Sequence, residues 1–167
     1  MRWRQARALA ALCAEQGVPL IVNDDLALAS RLRDAGFSGV GLHLGQGDGS
    51  LRQARERLGP QTIIGATCHA RLDLAARAAD EGASYLAFGR FFVSHTKPEA
   101  PPASLALLAG AARFGLPRVA IGGIDGDNVV TARAAGAELL ATVHAVFGGG
   151  DPEARVRELN RRLAHDE

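Results

Sequence analysis

Short runs of Val, Ile and Leu alternate along this chain with longer stretches in which apolar residues recur at helical spacing. The short runs predict six buried strands, at 18–22, 39–44, 62–66, 84–88, 118–121 and 138–143. The longer stretches predict helices at 26–34, 51–58, 71–81, 103–113, 127–135 and 153–164. Ahead of the first strand, Leu9, Leu12 and Cys13 predict one face of an amphipathic helix. Alternating strands and helices indicate right-handed crossovers and a parallel sheet.

Two architectures satisfy this alternation, an open doubly wound sheet and a (β/α) TIM barrel. A doubly wound sheet normally has a Gly-rich turn after its first strand, whereas this strand ends in Asn23-Asp24-Asp25. Polar residues follow nearly every strand, which favours a barrel whose strands all end at one shared site. A complete barrel has about eight such units. We therefore expect one α/β domain over residues 1–167, an incomplete (β/α) barrel with six of eight units and without the first two strands.

The composition is that of a soluble globular protein, with 47% hydrophobic and 22% charged residues. A net charge of +1 creates no field to attract nucleic acid or a membrane surface, so an anionic ligand needs a local site. Arg2, Arg4 and Arg7 precede an apolar run that is too short for a signal peptide or a membrane span. Two cysteines, Cys13 and Cys68, form no disulfide framework, and we expect a cytoplasmic protein.

The connection between the fourth and fifth strands is the longest, because these predicted strands begin 34 residues apart. Its extra length, 90–102, contains the polar run Ser94-His95-Thr96-Lys97 and three prolines, Pro98, Pro101 and Pro102. Lys97 is the only lysine in the chain, and its compact charge suits a phosphate oxygen. The alternatives are a solvated lysine and a proline-stiffened surface loop.

Asp24 and Asp48 follow the first two strands, and Asn23 lies beside the first of them. Two carboxylates and an amide from neighbouring strand ends supply the oxygen ligands that Mg²⁺ prefers. Either of Asp24 and Asp25 could instead be the N-cap of the helix that begins at Leu26.

Backbone and hydroxyl donors follow the later strands. Gly122-Gly123-Ile124 comes directly after the fifth strand and, with the turn at Val143-His144, predicts a phosphate-binding cradle. Thr67 and Ser94 add hydroxyl donors on the same rim.

The histidines raise a second possibility, because four of them fall near strand ends: His43, His69, His95 and His144. A zinc hydrolase would use such ligands, but the chain has no HxH or HExxH pair. A metal analysis would distinguish this alternative.

Five motifs together resemble the thiamine-phosphate synthase family. They are the segments PLIVND at 19–24, GLHLGQGD at 41–48, IIGATCH at 63–69, SHTKP at 94–98 and AIGGI at 120–124 with Asn128. They occur in the order of that family over residues 18–147.

The resemblance implies a (β/α)₈ barrel that joins an aminopyrimidine methyl diphosphate to a thiazole phosphate, giving thiamine monophosphate and pyrophosphate. Carried over by position, Asp24 and Asp48 would hold Mg²⁺, while Asn23, Thr67 and Lys97 would bind the diphosphate substrate. Thr67 and Lys97 are the expected catalytic residues. The thiazole phosphate would be held by Ser94, His95, Thr96, Gly123, Val143 and His144.

The chain departs from the family in four respects. Ser94 replaces a common Thr, Thr67 a common Ser and His144 a common Ser. The Q-x-R-x-K cluster that binds the diphosphate is absent, and we expect a truncated or misplaced start. The exposed strand edges should then favour homo-oligomers, low stability and weak activity. The alternatives are a thiazole tautomerase-like relative, which would need no pair of Mg²⁺ ligands, and a phosphate-binding fragment without turnover.

Overall fold

The structure is a computed structural model that describes residues 1–93, 99 and 101–164. Six strands and eight α-helices are present in these residues, and a short 3-10 helix, Ala112–Phe114, follows the fifth α-helix. The strands are β1 Leu20–Asn23, β2 Val40–Leu44, β3 Ile64–His69, β4 Tyr85–Phe88, β5 Arg118–Ile121 and β6 Leu139–Ala141. The helices are α1 Arg2–Glu15, α2 Leu26–Asp34, α3 Leu51–Leu58, α4 Leu72–Asp80, α5 Ala106–Ala111, α6 Val129–Ala134, α7 His144–Phe147 and α8 Pro152–Ala164. The chain forms two compact units, residues 1–67 with 77–85 and residues 68–76 with 86–167.

In the first unit, β1, β2 and β3 pair in parallel and in chain order. Side chains alternate between the two faces of these strands. On one face, Leu42, Leu44 and Ile64 are buried, and α2 packs on β1 and β2. The other face carries polar residues and a glycine: Asn23 lies opposite His43 in the register, and His43 lies opposite Gly65. Asn23 and His43 therefore share the face opposite to that of Leu42, Leu44 and Ile64.

Short-range capping determines where two helices of this unit begin. The Asp25 carboxylate accepts a hydrogen bond from Leu28 N at 2.9 Å, and Ser50 Oγ accepts one from Gln53 N at 3.2 Å. These caps start α2 and α3 at the predicted residues, and both helices also end where predicted. Of the two candidate caps in the sequence, Asp25 fills the role, which leaves the Asp24 side chain available at the strand end.

One face of the first helix differs from the prediction. The helix is present, but Leu9 and Leu12 are 52% and 54% exposed, whereas Ala10 is 2% exposed. α1 contacts α2 through its other side, where the Arg31 guanidinium lies 4.0 Å from the centroid of the Trp3 ring. Small residues on that side allow close packing, so the stripe with the large aliphatic side chains is the exposed one.

Arg55 of α3 connects three parts of the first unit. Its guanidinium donates hydrogen bonds of 2.6 to 3.1 Å to Gly59 O, Pro60 O, Thr62 O, Gly82 O and Ser84 Oγ. These acceptors lie after α3, before β3 and before β4. We call this arrangement the Arg55 clamp. Burial lowers the pKa of Arg55 from its ordinary value.

The third strand begins later than predicted, at Ile64 rather than residue 62. The Thr62 hydroxyl donates to Leu58 O at 2.6 Å and keeps this residue in the turn after α3. The strand then continues through Thr67 to His69. Thr67 and His69 are thereby placed near its C-terminal end.

In the second unit, β4, β5 and β6 also pair in parallel and in chain order. Arg118 at the start of β5 forms an ion pair with Glu138 and donates to Leu108 O at 3.0 Å. β5 has the predicted bounds, whereas β6 is shorter than predicted. The four-residue helix α7 follows it and was not predicted. Across the described residues, no helix combines the length and the apolar character that crossing a bilayer requires.

Candidate active site

Asp24 and Asp48 come together at Gly45. A Cβ atom built on Gly45 would lie within 3.0 Å of Oδ2 of Asp48 and 4.0 Å from Oδ1 of Asp24. Because both oxygens lie this close to one point, they are less than 7 Å from each other. A side chain at position 45 would occupy the space that the carboxylates approach.

The backbone at the end of β1 aims Asp24 toward this place. Asp24 has φ 63°, a left-handed conformation that is uncommon for a non-glycine residue. Its amide donates to His43 O at 2.8 Å, and its carboxylate accepts a hydrogen bond from the Asn23 side-chain amide. Strained backbone of this kind is found at functional sites, where the surrounding contacts hold it.

Thr67 belongs to a second polar group in the same unit. Its hydroxyl lies 2.8 Å from His43 Nε2, and His43 Nδ1 lies 2.9 Å from the Tyr85 hydroxyl. Gln46 Nε2 donates to the Thr67 carbonyl at 2.5 Å. Gln46 and Asp48 belong to one loop, so the Thr67 group and the carboxylate pair are connected through it.

Tyr85 was missed by reasoning from the sequence. It is the only tyrosine in the chain, and a Cβ on Gly65 would come within 3.0 Å of its ring. The signal was the glycine itself, because a glycine inside a buried strand leaves space for a large neighbouring side chain. Burial raises the pKa of Tyr85 to about 12, so its hydroxyl keeps its proton at neutral pH.

In the second unit, the double glycine after β5 forms a tight turn. Gly122 and Gly123 have φ of 95° and 71°, and a Cβ on either would collide with the segment 90–93. The Asn128 amide donates to Gly123 O at 2.8 Å and accepts from Asp125 N at 3.0 Å. These two bonds fix the turn.

The loops after β5 and β6 meet within this unit. Thr142 Oγ1 donates to Ile124 O at 2.7 Å, which brings together the residues next to Gly123 and Val143. His144 is the first residue of α7, and its ring lies beside Gly148. The predicted Gly123, Val143 and His144 thus belong to neighbouring turns, whereas Ser94, His95, Thr96 and Lys97 lie outside the described residues.

The geometry of the described residues supports neither a zinc site nor a cysteine nucleophile. Among the described residues, no group of three or more His, Cys, Asp or Glu side chains is placed to hold a metal, as a zinc hydrolase would need. Cys68 is fully buried, and burial raises the pKa of its thiol to about 12. A thiol with this pKa is almost entirely protonated at neutral pH and is a poor nucleophile.

The family model for thiamine monophosphate synthase matches residues 1–146. The chain belongs to this family. The thiamine-phosphate synthase of Marinobacter nauticus is 52% identical over 162 residues, which are 96% of this chain and 71% of that protein. The enzyme of Saccharophagus degradans is 53% identical over 157 residues, 93% of this chain and 70% of that protein.

Solved structures agree with this membership of the thiamine monophosphate synthase family. The thiamine phosphate pyrophosphorylase from Pyrococcus furiosus superimposes with a TM-score of 0.83 at 29% identity, covering 98% of this chain and 76% of that chain. Orotidine 5′-phosphate decarboxylase from Pyrococcus horikoshii, at 14% identity and a TM-score of 0.67, shares the fold alone. The expected family, the barrel fold class with its parallel strands and the transferase class are confirmed.

Proposed function

We propose that this chain joins 4-amino-2-methyl-5-(diphosphomethyl)pyrimidine to 4-methyl-5-(2-phosphoethyl)thiazole, producing thiamine monophosphate and pyrophosphate. The observation that carries the proposal is the convergence of the Asp24 and Asp48 carboxylates on Gly45. Two carboxylates whose oxygens lie less than 7 Å apart repel each other, a cation between them would relieve this repulsion, and a diphosphate substrate brings further negative charge. This geometry suits a reaction on a diphosphate.

The donor set fits Mg²⁺, because two carboxylates and the neighbouring Asn23 side chain are hard oxygen ligands. Asp24 and Asp48 would hold the ion, which when bound would neutralise charge on the departing diphosphate. Asn23, Thr67 and Lys97 would bind the same substrate through an amide, a hydroxyl and an ammonium group. Each of these donors is stronger toward the more negative leaving group than toward the intact ester.

The reaction itself requires no strong base. The bond between the pyrimidine methylene carbon and the diphosphate oxygen breaks, and its electron pair leaves with pyrophosphate. The electron-rich aminopyrimidine stabilises the resulting cation, and the lone pair of the thiazole nitrogen forms the new C–N bond. The protein then chiefly positions the two substrates. For the thiazole phosphate we assign Ser94, His95, Thr96, Gly123, Val143 and His144.

Product formation with two carboxamide variants tests the proposal. The protein is incubated with both substrates and Mg²⁺, and thiamine monophosphate is measured by chromatography. Asp24→Asn and Asp48→Asn should each lower turnover by two or more orders of magnitude, because each removes an anionic ligand. Asp34→Asn is the control, since this exposed carboxylate pairs with Arg57 at 2.9 Å and lies outside the proposed site. Full activity of both variants, or activity that a chelator leaves unchanged, would refute the metal assignment.

The proposed setting is the cytoplasm, with small phosphorylated molecules as the substrates and a homo-oligomer as the assembly. Cys13 and Cys68 are both outside any disulfide, a state that a reducing compartment maintains. Val18 beside β1 and Leu139 in β6 are each about half exposed, and such apolar side chains favour self-association. Sedimentation equilibrium would show a single monomeric species if the oligomer assignment is wrong.

A further inference from the structure

Three side chains of the first unit, Tyr85, His43 and Thr67, form a continuous hydrogen-bonded row. The His43 ring stacks against the Tyr85 ring with centroids 5.6 Å apart and an interplanar angle of 20°. Its two nitrogens are both engaged, Nδ1 at 2.9 Å from the Tyr85 hydroxyl and Nε2 at 2.8 Å from the Thr67 hydroxyl. The row ends at Thr67, the residue assigned above to the diphosphate substrate.

The strands dictate this arrangement. His43 lies opposite Gly65 in the β2–β3 register, and Thr67 lies two residues farther along β3, on the same face. Because Gly65 has no side chain, the Tyr85 ring occupies that place and reaches His43. The imidazole is thus held between a ring on one side and a hydroxyl on the other.

The direction of the hydrogen bonds determines what Thr67 can do. A neutral imidazole has one N–H donor and one acceptor nitrogen. If Nδ1 carries the proton, Thr67 must donate its own proton to Nε2 and offers only lone pairs to a ligand. If Nε2 carries it, the Thr67 hydroxyl accepts from His43 and keeps its O–H for another acceptor.

The Tyr85 hydroxyl favours one of the two directions. Within the described part of the chain, its hydrogen-bond partner is His43 Nδ1. The Tyr85 O–H has a protein acceptor there when Nδ1 is unprotonated, which places the ring proton on Nε2. In this direction Thr67, near the end of β3, keeps its O–H for a ligand.

We propose that His43 is a positioning residue, which accepts a hydrogen bond from Tyr85, donates one to Thr67 and thereby presents the Thr67 O–H to an anionic oxygen of the diphosphate. The inference rests on the proposed function for the identity of that anion. The direction of the hydrogen bonds from Tyr85 through His43 to Thr67 does not depend on the proposed function.

The tautomer of His43 is measurable without turnover. Nitrogen-15 NMR of the histidine rings, with His43→Gln used to assign the signals, should show a protonated Nε2 and an unprotonated Nδ1 for His43. Tyr85→Phe keeps the ring but removes the hydroxyl, and it should shift the His43 signals toward a mixture of tautomers. A protonated Nδ1 in the unaltered protein would overturn the proposal.

A double-mutant cycle tests whether His43 acts through Thr67. His43→Leu should raise KM for the pyrimidine diphosphate by about tenfold, the effect of losing one hydrogen bond to a charged group. KM for the thiazole phosphate should stay unchanged. His43→Gln, whose amide can still donate to Thr67, should recover most of the loss. In a Thr67→Val background, His43→Leu should cause no further change.

Calorimetric binding of inorganic pyrophosphate with Mg²⁺ repeats the cycle without catalysis. His43→Leu and Thr67→Val should each weaken binding by about tenfold, and the double variant should match Thr67→Val alone. Equal losses from His43→Leu with and without the Thr67 hydroxyl, or no pyrophosphate binding by the unaltered protein, would overturn the proposal. Coupled binding without formation of thiamine monophosphate would support the role of His43 and reject the proposed synthase function.

Discussion

Gly65→Ala should destabilise the first unit by displacing Tyr85. The new Cβ would come within 3.0 Å of three atoms of that side chain, and the half-buried ring has β3 on one side and His43 on the other. Overpacking of this kind costs about 1–3 kcal/mol, and loss of the Tyr85–His43 hydrogen bond adds about 1 kcal/mol. Replacing glycine with alanine also lowers the conformational entropy of the unfolded chain, which stabilises the folded state by about 0.4–1 kcal/mol. The free energy of unfolding should therefore fall by about 2 kcal/mol.

Urea denaturation followed by circular dichroism measures this change, and a second background identifies its cause. In Tyr85→Ala the clashing ring is gone, so adding Gly65→Ala should be neutral or slightly stabilising. Gly39→Ala is the control, because a Cβ there meets nothing within 4 Å. The reasoning is refuted if Gly65→Ala is as stable as the unaltered protein, or if its cost is the same in the Tyr85→Ala background.

Three further outcomes follow from other contacts. Gly45→Ala should raise the Mg²⁺ concentration needed for half-maximal activity by tenfold or more, since its Cβ displaces the Asp48 carboxylate, whereas Gly47→Ala meets nothing within 4 Å and should leave it unchanged. Arg55→Lys should lower the free energy of unfolding by about 2–3 kcal/mol because it breaks the Arg55 clamp, against less than about 0.5 for the exposed Arg52→Lys. Burial in the folded state raises the pKa of Tyr85 from 10 to about 12. The contribution of the protonated Tyr85 phenol to stability is therefore intact below pH 10 and is lost as the pH rises toward 12. Tyr85→Phe should therefore show a shallower loss of stability than the unaltered protein when urea titrations are compared at pH 9, 10 and 11.

Local signals made much of the fold predictable. The bounds of α2 and α3 follow from an apolar period, a signal that lies within the helix it defines, and the caps at Asp25 and Ser50 are equally local in the structure. β5 is equally local, a short aliphatic run before a double glycine. The buried stripe of α1 was not predictable in this way, because periodicity finds apolar stripes but does not say which one has a partner. Ala10 is buried and Leu12 is exposed for that reason.

The residues of the candidate site also differ in whether their signal is local in the sequence. Asp24, Asp48 and Thr67 are predicted from the sequence because strand ends in a parallel fold share an edge and these residue types bind ions and phosphates. The contact between His43 and Tyr85 depends on a register between strands and on space left by a glycine 20 residues earlier in the chain than the tyrosine. No local pattern encodes such a contact. The sequence indicates His43 as a candidate metal ligand, since its neighbours in space cannot be read from its neighbours in sequence.

The Arg55 clamp has a consequence for the order in which this protein folds. All its acceptors lie within 29 residues of Arg55, from the turn after α3 to the residue before β4. Closing loops of this length costs little chain entropy, so the clamp can form before strands that are more distant in sequence have paired. We therefore expect helix α3 and the beginnings of β3 and β4 to form early in folding, so that substitutions at Arg55 slow refolding more than they accelerate unfolding.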